Sequence, residues 1–176
     1  MHGGKGASGR GGFTLVEILV AIAILGFLVT MAVSSFRGLD EKYKVESETK
    51  QLYANLMDVR GRAMQRNRFH HVQITTNGYA TFEDRSPAPD GDNDFTNGAN
   101  TQVANVTVRH AITTARTGGG AMDNVIFNRN GIPDVTGQLW FTKAAGTNPD
   151  YDCITIRLTR VKMGQYNAGT NTCLEK

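Results

Sequence analysis

"GRGGFTLVEILVAIAILGF" occupies residues 9–27 and begins an apolar segment that continues to Phe36. Glu17 is the only charged residue between Phe13 and Phe36. The segment is long enough for a helix that crosses the hydrocarbon core of a bilayer, which takes about 20 residues. A secretory signal peptide would have small residues for cleavage after its apolar region, whereas here the glycines come before it.

The residues before the apolar segment predict the orientation of the chain. Lys5 and Arg10 are the fixed charges of this short leader. Positively charged flanks stay on the cytoplasmic side of a membrane. We therefore expect one membrane helix over residues 13–37, with the rest of the chain exported.

Glu17 is costly in such a helix, because insertion scales assign a central carboxylate about 2.5–3.5 kcal/mol. One interpretation places Glu17 near the interface, where its side chain reaches water. The other invokes a cut between Gly12 and Phe13, because the new α-amine would then lie about one helical turn from the carboxylate. Between offset parallel neighbours, that charge pair would fix the register of packing.

The segment GGFTLVEILVAIAILGFLVTMAVSSF resembles the N-terminus of type IV pilins and of type II secretion pseudopilins. The resemblance implies that residues 1–12 are a leader, removed by a prepilin peptidase that cuts after Gly12. It also implies that Phe13 is then N-methylated and that Glu17 pairs with a neighbour's terminus. Ser34 stands where many major pilins have a helix-breaking proline, which favours a minor subunit.

An amphipathic helical pattern continues through residues 38–70. Apolar residues recur there at spacings of three and four, which is typical of one buried helix face. No proline interrupts the chain between Phe13 and Asn67, so one continuous helix is predicted. Its predicted buried face consists of Val45, Leu52, Leu56, Val59 and Ala63.

Residues 71–176 predict strands instead. The Asn77–Gly78 pair lies between two short alternating segments, which indicates a hairpin. Single strands are predicted within residues 101–112, 124–128 and 138–142, and residues 151–167 predict one bent strand or a tight pair. The fold class is therefore α+β, with a long N-terminal α-helix, membrane-spanning in its first half, packed on an antiparallel sheet as in pilins.

Cys153 and Cys173 both lie in the exported part, where an oxidising periplasm permits a disulfide. That bond would close a C-terminal loop of about twenty residues and stabilise the fold by roughly 3 kcal/mol. Two free or metal-binding thiols are the alternative, although no CxxC spacing or nearby histidine supports them.

The exported part also resembles the FimT/GspH group of minor pilins and pseudopilins, through LMDVRGRAMQRN, FED, IFNRNG and CITIRLTRVK. Some FimT-like members are DNA receptors with a Gly-Arg-x-Arg motif. The corresponding residues 159–162 lack the glycine and have lysine for the second arginine. Arg157, Arg160 and Lys162 are candidates for weak, salt-sensitive contact with double-stranded DNA, and an ordinary exposed strand is the alternative.

A second basic feature closes the predicted helix. Cations at a helix C-terminus are favoured by its dipole, which makes a solvated structural face the preferred interpretation. Phosphate binding is the functional alternative, and metal binding by the two histidines lacks a third ligand. The residues are Arg60, Arg62, Arg66, Arg68, His70 and His71.

Asp90, Asp92 and Asp94 alternate in the way that begins calcium-binding loops. The full calcium-loop pattern requires glycine and glutamate where Phe95 and Thr101 stand. An acidic surface loop without metal is therefore favoured over a calcium site.

The sequence lacks nucleophile-elbow, zinc-protease and phosphate-loop motifs, so it predicts neither an enzyme nor a cofactor. The net charge of +3 falls close to neutral without Lys5 and Arg10.

The resemblance implies a subunit of a type IV pilus or a type II secretion pseudopilus, with a DNA receptor in natural transformation as the alternative. It would lie in the bacterial inner membrane, with its C-terminal domain in the periplasm, and then in the filament. Its partners would be other pilins or pseudopilins, prepilin peptidase, the inner-membrane assembly platform and, before assembly, membrane lipids.

Overall fold

The computed structural model describes residues 12–85, 93–95 and 100–176, and for residues 32–37 it describes the backbone alone. The chain divides after Gly38 into an N-terminal unit and a globular unit that begins at Leu39. One helix, α1 (Leu15–Arg66), belongs to both units. The continuous helix predicted from the absence of proline is therefore present.

The N-terminal unit consists of the first turns of α1 and the residues before them. Thr14 precedes the helix, and its hydroxyl accepts a hydrogen bond from the N–H of Glu17 at 3.2 Å. Threonine is a favoured residue at this capping position, because its oxygen pairs an N–H that the helix leaves free. Within the residues that the structure describes, no helix combines the length and apolar character needed to cross a membrane.

In the globular unit, α1 buries the face that the sequence predicts. Val45, Leu52, Leu56, Val59 and Ala63 are each at most 3% exposed, which confirms the predicted face. The helix ends where Asn67 adopts a left-handed conformation with φ of 52°. The N–H of Arg68 then bonds to the carbonyl of Ala63 at 3.2 Å, in the arrangement of a Schellman cap.

Nine strands follow α1 in the described part of the chain. They form two antiparallel sheets, ordered β3-β2-β1-β5 and β4-β6-β7-β8-β9. The strands are β1 (His70–Thr75), β2 (Gly78–Glu83), β3 (Thr101–Thr107), β4 (Ile112–Arg116), β5 (Asn124–Phe127), β6 (Gly137–Phe141), β7 (Cys153–Ile156), β8 (Val161–Asn167) and β9 (Thr172–Glu175).

The predicted hairpin is formed by β1 and β2, with Thr75 opposite Gly78. Its two-residue turn is Thr76–Asn77, so Gly78 already belongs to β2. A Cβ atom at Gly78 would collide with the carbonyl oxygen of Val106 in β3. Gly78 therefore permits the close approach of β3 rather than the turn.

The single strand predicted within residues 101–112 is wrong. Here β3 and β4 lie in different sheets and are separated by residues 108–111. Glu48 of α1 accepts hydrogen bonds from the N–H groups of Arg109 at 2.7 Å and His110 at 3.2 Å. These bonds turn the connecting segment toward the helix, which the strand pattern does not show.

Residues 151–167 form the tight pair, β7 and β8, rather than one bent strand. The turn is closed by a hydrogen bond from the N–H of Arg157 to the carbonyl of Arg160 at 2.8 Å. β9 follows where the sequence predicts only a loop, and it pairs with β8.

The core of the globular unit lies between α1 and the inward faces of both sheets. Alternating strand residues face the helix, as expected for sheets covered on one side. The largest fully buried apolar side chains contributed by the strands are Phe127, Phe141, Leu139, Ile154, Ile156 and Val72.

Candidate functional site: the N-terminal segment and the basic surfaces

The bond between Gly12 and Phe13 lies just before α1, in backbone that is not helical. Phe13 is 79% exposed and Glu17 is exposed in the first helical turn. An acidic residue in this turn is favoured by the positive end of the helix dipole. Because Thr14 follows the bond, a cut there would leave the residue that caps α1 in place.

Large apolar side chains are exposed along the described part of the N-terminal unit. A helix that is apolar around its whole circumference needs apolar surroundings, such as other helices or lipid. The exposed residues include Leu15, Val16, Leu19, Ile22, Leu25, Phe27, Leu28 and Met31.

Cys153 of β7 and Cys173 of β9 form a disulfide, with their Cα atoms 5.9 Å apart. Gln138 of β6 holds β9 as well. Its side-chain oxygen accepts a hydrogen bond from the N–H of Cys173 at 2.8 Å, and its side-chain nitrogen donates to the carbonyl of Asn171 at 2.7 Å. The disulfide and this amide add to the pairing of β9 with β8 in holding β9 to the second sheet.

Arg160, the residue before β8, and Lys162 of β8 both contact the same acidic residue. Their side-chain nitrogens lie 3.1 Å and 3.6 Å from Glu175 Oε2. Burial alone would raise the pKa of Glu175, but the hydrogen bond from Thr155 and these two cations lower it. Arg157 is exposed on the other side of the turn. The carboxylate therefore cancels part of the charge proposed for DNA contact.

The arginines at the end of α1 do not form one patch. Arg62 pairs with Asp58 at 2.7 Å, and Arg60 donates to the carbonyl of Thr159 at 3.4 Å. Arg66 and Arg68 instead contact Glu83 of β2. The structure thus brings two of the four arginines to a carboxylate that the sequence pattern did not connect with them.

The two histidines that follow α1 are both buried and lie next to each other on β1. His71 Nε2 lies 2.7 Å from the side-chain oxygen of Asn124. Burial lowers the pKa of both His70 and His71. Consecutive strand residues face opposite sides of a sheet, so the pair does not converge on one ion. In the described ranges, no group of three or more ligating side chains could hold a metal.

The calcium prediction falls largely outside the described residues, because Asp90 and Asp92 are not among them. Asp94 is described, and its carbonyl accepts a hydrogen bond from the side chain of Asn100 at 2.9 Å. The prediction of an acidic loop or a calcium loop at this segment therefore stays a prediction.

A family model of the prokaryotic N-terminal methylation motif matches residues 7–33. The match supports a type IV pilin-like or pseudopilin subunit, which is a structural protein rather than an enzyme. It also suggests processing by prepilin peptidase, membrane anchoring and assembly with other pilins. The searches of curated proteins and of solved structures found no match to this chain.

Proposed function

We propose that the chain is a minor pilin or minor pseudopilin of the FimT/GspH type. The observation that supports this most is the position of the methylation motif. It covers the Gly12–Phe13 bond and the first turns of α1. The sequence segments that resemble the FimT/GspH group and the serine at residue 34 support the finer assignment.

In this proposal, prepilin peptidase removes residues 1–12 and Phe13 is N-methylated. The new positive terminus then pairs with Glu17 of a neighbouring subunit in the filament. The exposure of Phe13 and Glu17 supports this role, since both residues are accessible to another chain.

Before assembly, residues 13–37 anchor the chain in the inner membrane and residues 38–176 lie in the periplasm. The exposed apolar side chains of the N-terminal unit support an apolar environment in either state. The disulfide between Cys153 and Cys173 is compatible with an oxidising compartment.

The experiment that tests this proposal compares Glu17→Ala with Asp58→Ala in the producing bacterium. Asp58 is an exposed carboxylate of α1 in the globular unit, so its variant controls for loss of a charge. Both proteins should reach the membrane, and only Glu17→Ala should be depleted from sheared filaments or pseudopili. Wild-type amounts of Glu17→Ala in the filament fraction would contradict the proposed pairing.

The DNA-receptor alternative has less support from the globular unit. Arg160 and Lys162 are both in ion pairs with Glu175, and two or three phosphate contacts would give only weak binding. We therefore propose assembly, rather than DNA uptake, as the function of the chain.

A further inference from the structure

Three arginines converge on the carboxylate of Glu83. Arg85 Nη2 lies 2.9 Å from Oε2, and Arg68 Nη1 lies 3.7 Å from Oε1. Arg66 also donates to Oε2. We refer to Arg66, Arg68 and Arg85 as the arginine cluster.

The fold explains why these residues meet. Arg66 is the last residue of α1, and the left-handed turn at Asn67 places Arg68 two residues before the start of β1. Glu83 ends β2 opposite His70, the first residue of β1, and Arg85 follows two residues later. The hairpin therefore returns the chain to the end of the helix.

Glu83 is more deeply buried than the three arginines of the cluster. The Glu83 side chain is 2% exposed, whereas the three arginine side chains are 25–47% exposed. All four side chains line one open concavity on the surface. The carboxylate thus lies beneath guanidinium groups that remain accessible to solvent.

The concavity has an excess of positive charge. Burial alone would raise the pKa of Glu83, but the hydrogen bond from Arg85 and the charges of Arg66 and Arg85 lower it. One carboxylate against three guanidinium groups leaves a net charge of +2 (3 − 1). Each guanidinium has five N–H donors, so Glu83 uses few of those available. His70 lies opposite Glu83 in the register, and burial lowers its pKa.

We propose that the arginine cluster is a binding site for a phosphate group. Guanidinium forks match the oxygens of phosphate and bind them through paired, charge-assisted hydrogen bonds. A phosphate dianion would balance the excess charge of the concavity. Glu83 is the positioning residue, because it holds three otherwise flexible arginines at one place. This site is distinct from Arg157, Arg160 and Lys162 and does not depend on the proposed role in assembly.

The test is a calorimetric titration of inorganic phosphate into the full chain, held in non-ionic detergent at constant ionic strength with sodium chloride. Saturable binding to one site is expected. The Arg68→Gln/Arg85→Gln variant should bind at least about tenfold more weakly, because two of the three forks are lost. Arg66 remains in that variant to neutralise Glu83. Arg62→Gln removes an arginine outside the cluster and should bind as the wild type does.

Three results would overturn the proposal: no saturable phosphate binding, an equal loss of phosphate affinity in Arg62→Gln, or equal competition by chloride.

The Glu83→Gln variant separates the effect of geometry on phosphate binding from the effect of charge. It adds one net positive charge, so attraction by charge alone would strengthen binding, whereas loss of the positioning carboxylate should weaken it. Thermal unfolding checks that this variant folds, and the double arginine variant decides the question if it does not. Glycerol phosphate in place of inorganic phosphate distinguishes a phosphate carried on a larger molecule from the free ion.

Discussion

The Thr14 hydroxyl accepts a hydrogen bond from the backbone N–H of Glu17, 3.2 Å away, and this bond places the glutamate in the first turn of α1. Both residues follow the Gly12–Phe13 bond, so the proposed cut would retain the cap and the glutamate together. The mature helix would then begin at Leu15, two residues after its new terminus. This relationship links the local geometry of the helix start to the proposed pairing between subunits.

Replacing Thr14 with alanine should loosen the first turn of α1. Loss of such a cap costs about 0.5–2 kcal/mol, so the Glu17 amide should exchange faster with solvent. Hydrogen exchange followed by nuclear magnetic resonance in detergent micelles measures this directly. Thr14→Ser keeps the accepting oxygen and should leave the exchange rate close to that of the wild type. An unchanged Glu17 amide in Thr14→Ala would refute the capping role.

Glu83 should make the fold sensitive to acid. Its pKa is lower in the folded chain than in the unfolded chain, so its contribution is present above the unfolded pKa and is lost as pH falls through the folded value. We expect Glu83→Gln to lower the free energy of unfolding at pH 7 by about 1–3 kcal/mol. The variant should also depend less on pH below about 4.5. Denaturant titrations at pH 7, 5 and 4 measure both effects.

Asp58→Asn is the matched control for Glu83, because its carboxylate is exposed in a single helix pair. Asp58→Asn should leave the free energy of unfolding nearly unchanged at every pH. His70 and His71, whose pKa values are lowered in the folded chain, affect stability at higher pH than Glu83 does. The free energy of unfolding falls as pH drops below about 6.5, because the histidines of the unfolded chain take up protons there. If Glu83→Gln kept the acid dependence of the wild type, another group would have to account for it.

Removing the disulfide should destabilise the end of the second sheet. Cys153→Ala/Cys173→Ala opens a loop with a sequence separation of 20, for which the expected loss is about 3 kcal/mol in the free energy of unfolding. The Cys173 amide in β9 should lose protection first, since only its hydrogen bond to Gln138 and the pairing of β9 with β8 would then remain. Hydrogen exchange of the wild type with and without reductant tests this. Equal protection of β9 in both conditions would show that the disulfide is not needed to hold the strand.

Two glycines of the globular unit should respond to alanine in opposite directions. Gly61 lies inside α1 with open space where a methyl group would stand, so Gly61→Ala should stabilise by about 0.5–1 kcal/mol. Gly78→Ala should destabilise by about 1–3 kcal/mol, because the methyl group would collide with the Val106 carbonyl. Denaturant midpoints of the two variants give the comparison. A neutral Gly78→Ala would show that β3 can move away at little cost.

Local patterns in the sequence were sufficient for the elements that depend on neighbouring residues. The three- and four-residue spacing gave the buried face of α1, from Val45 to Ala63. The alternation around Asn77 gave the hairpin of β1 and β2. In both cases the periodicity of side chains in one element determines which face is apolar.

Elements that depend on distant residues were not predictable in the same way. Glu48 ends β3 by binding the backbone at Arg109 and His110, across more than 60 residues of chain. Glu175 pairs with Arg160 and Lys162 only because β9 lies beside β8. The arginine cluster likewise depends on the strand register, which places Glu83 of β2 beside the end of α1. Spacing along the chain carries no signal for such contacts.

The most direct test of the proposed processing is the intact mass of the chain, produced together with an active prepilin peptidase. We expect loss of residues 1–12, a decrease of about 1 kDa, and fragment spectra that begin with N-methylated Phe13. A Gly12→Leu variant should retain its full mass under the same conditions. Full-length wild-type chain beside a correctly processed control pilin, or a cut at any other bond, would refute cleavage after Gly12.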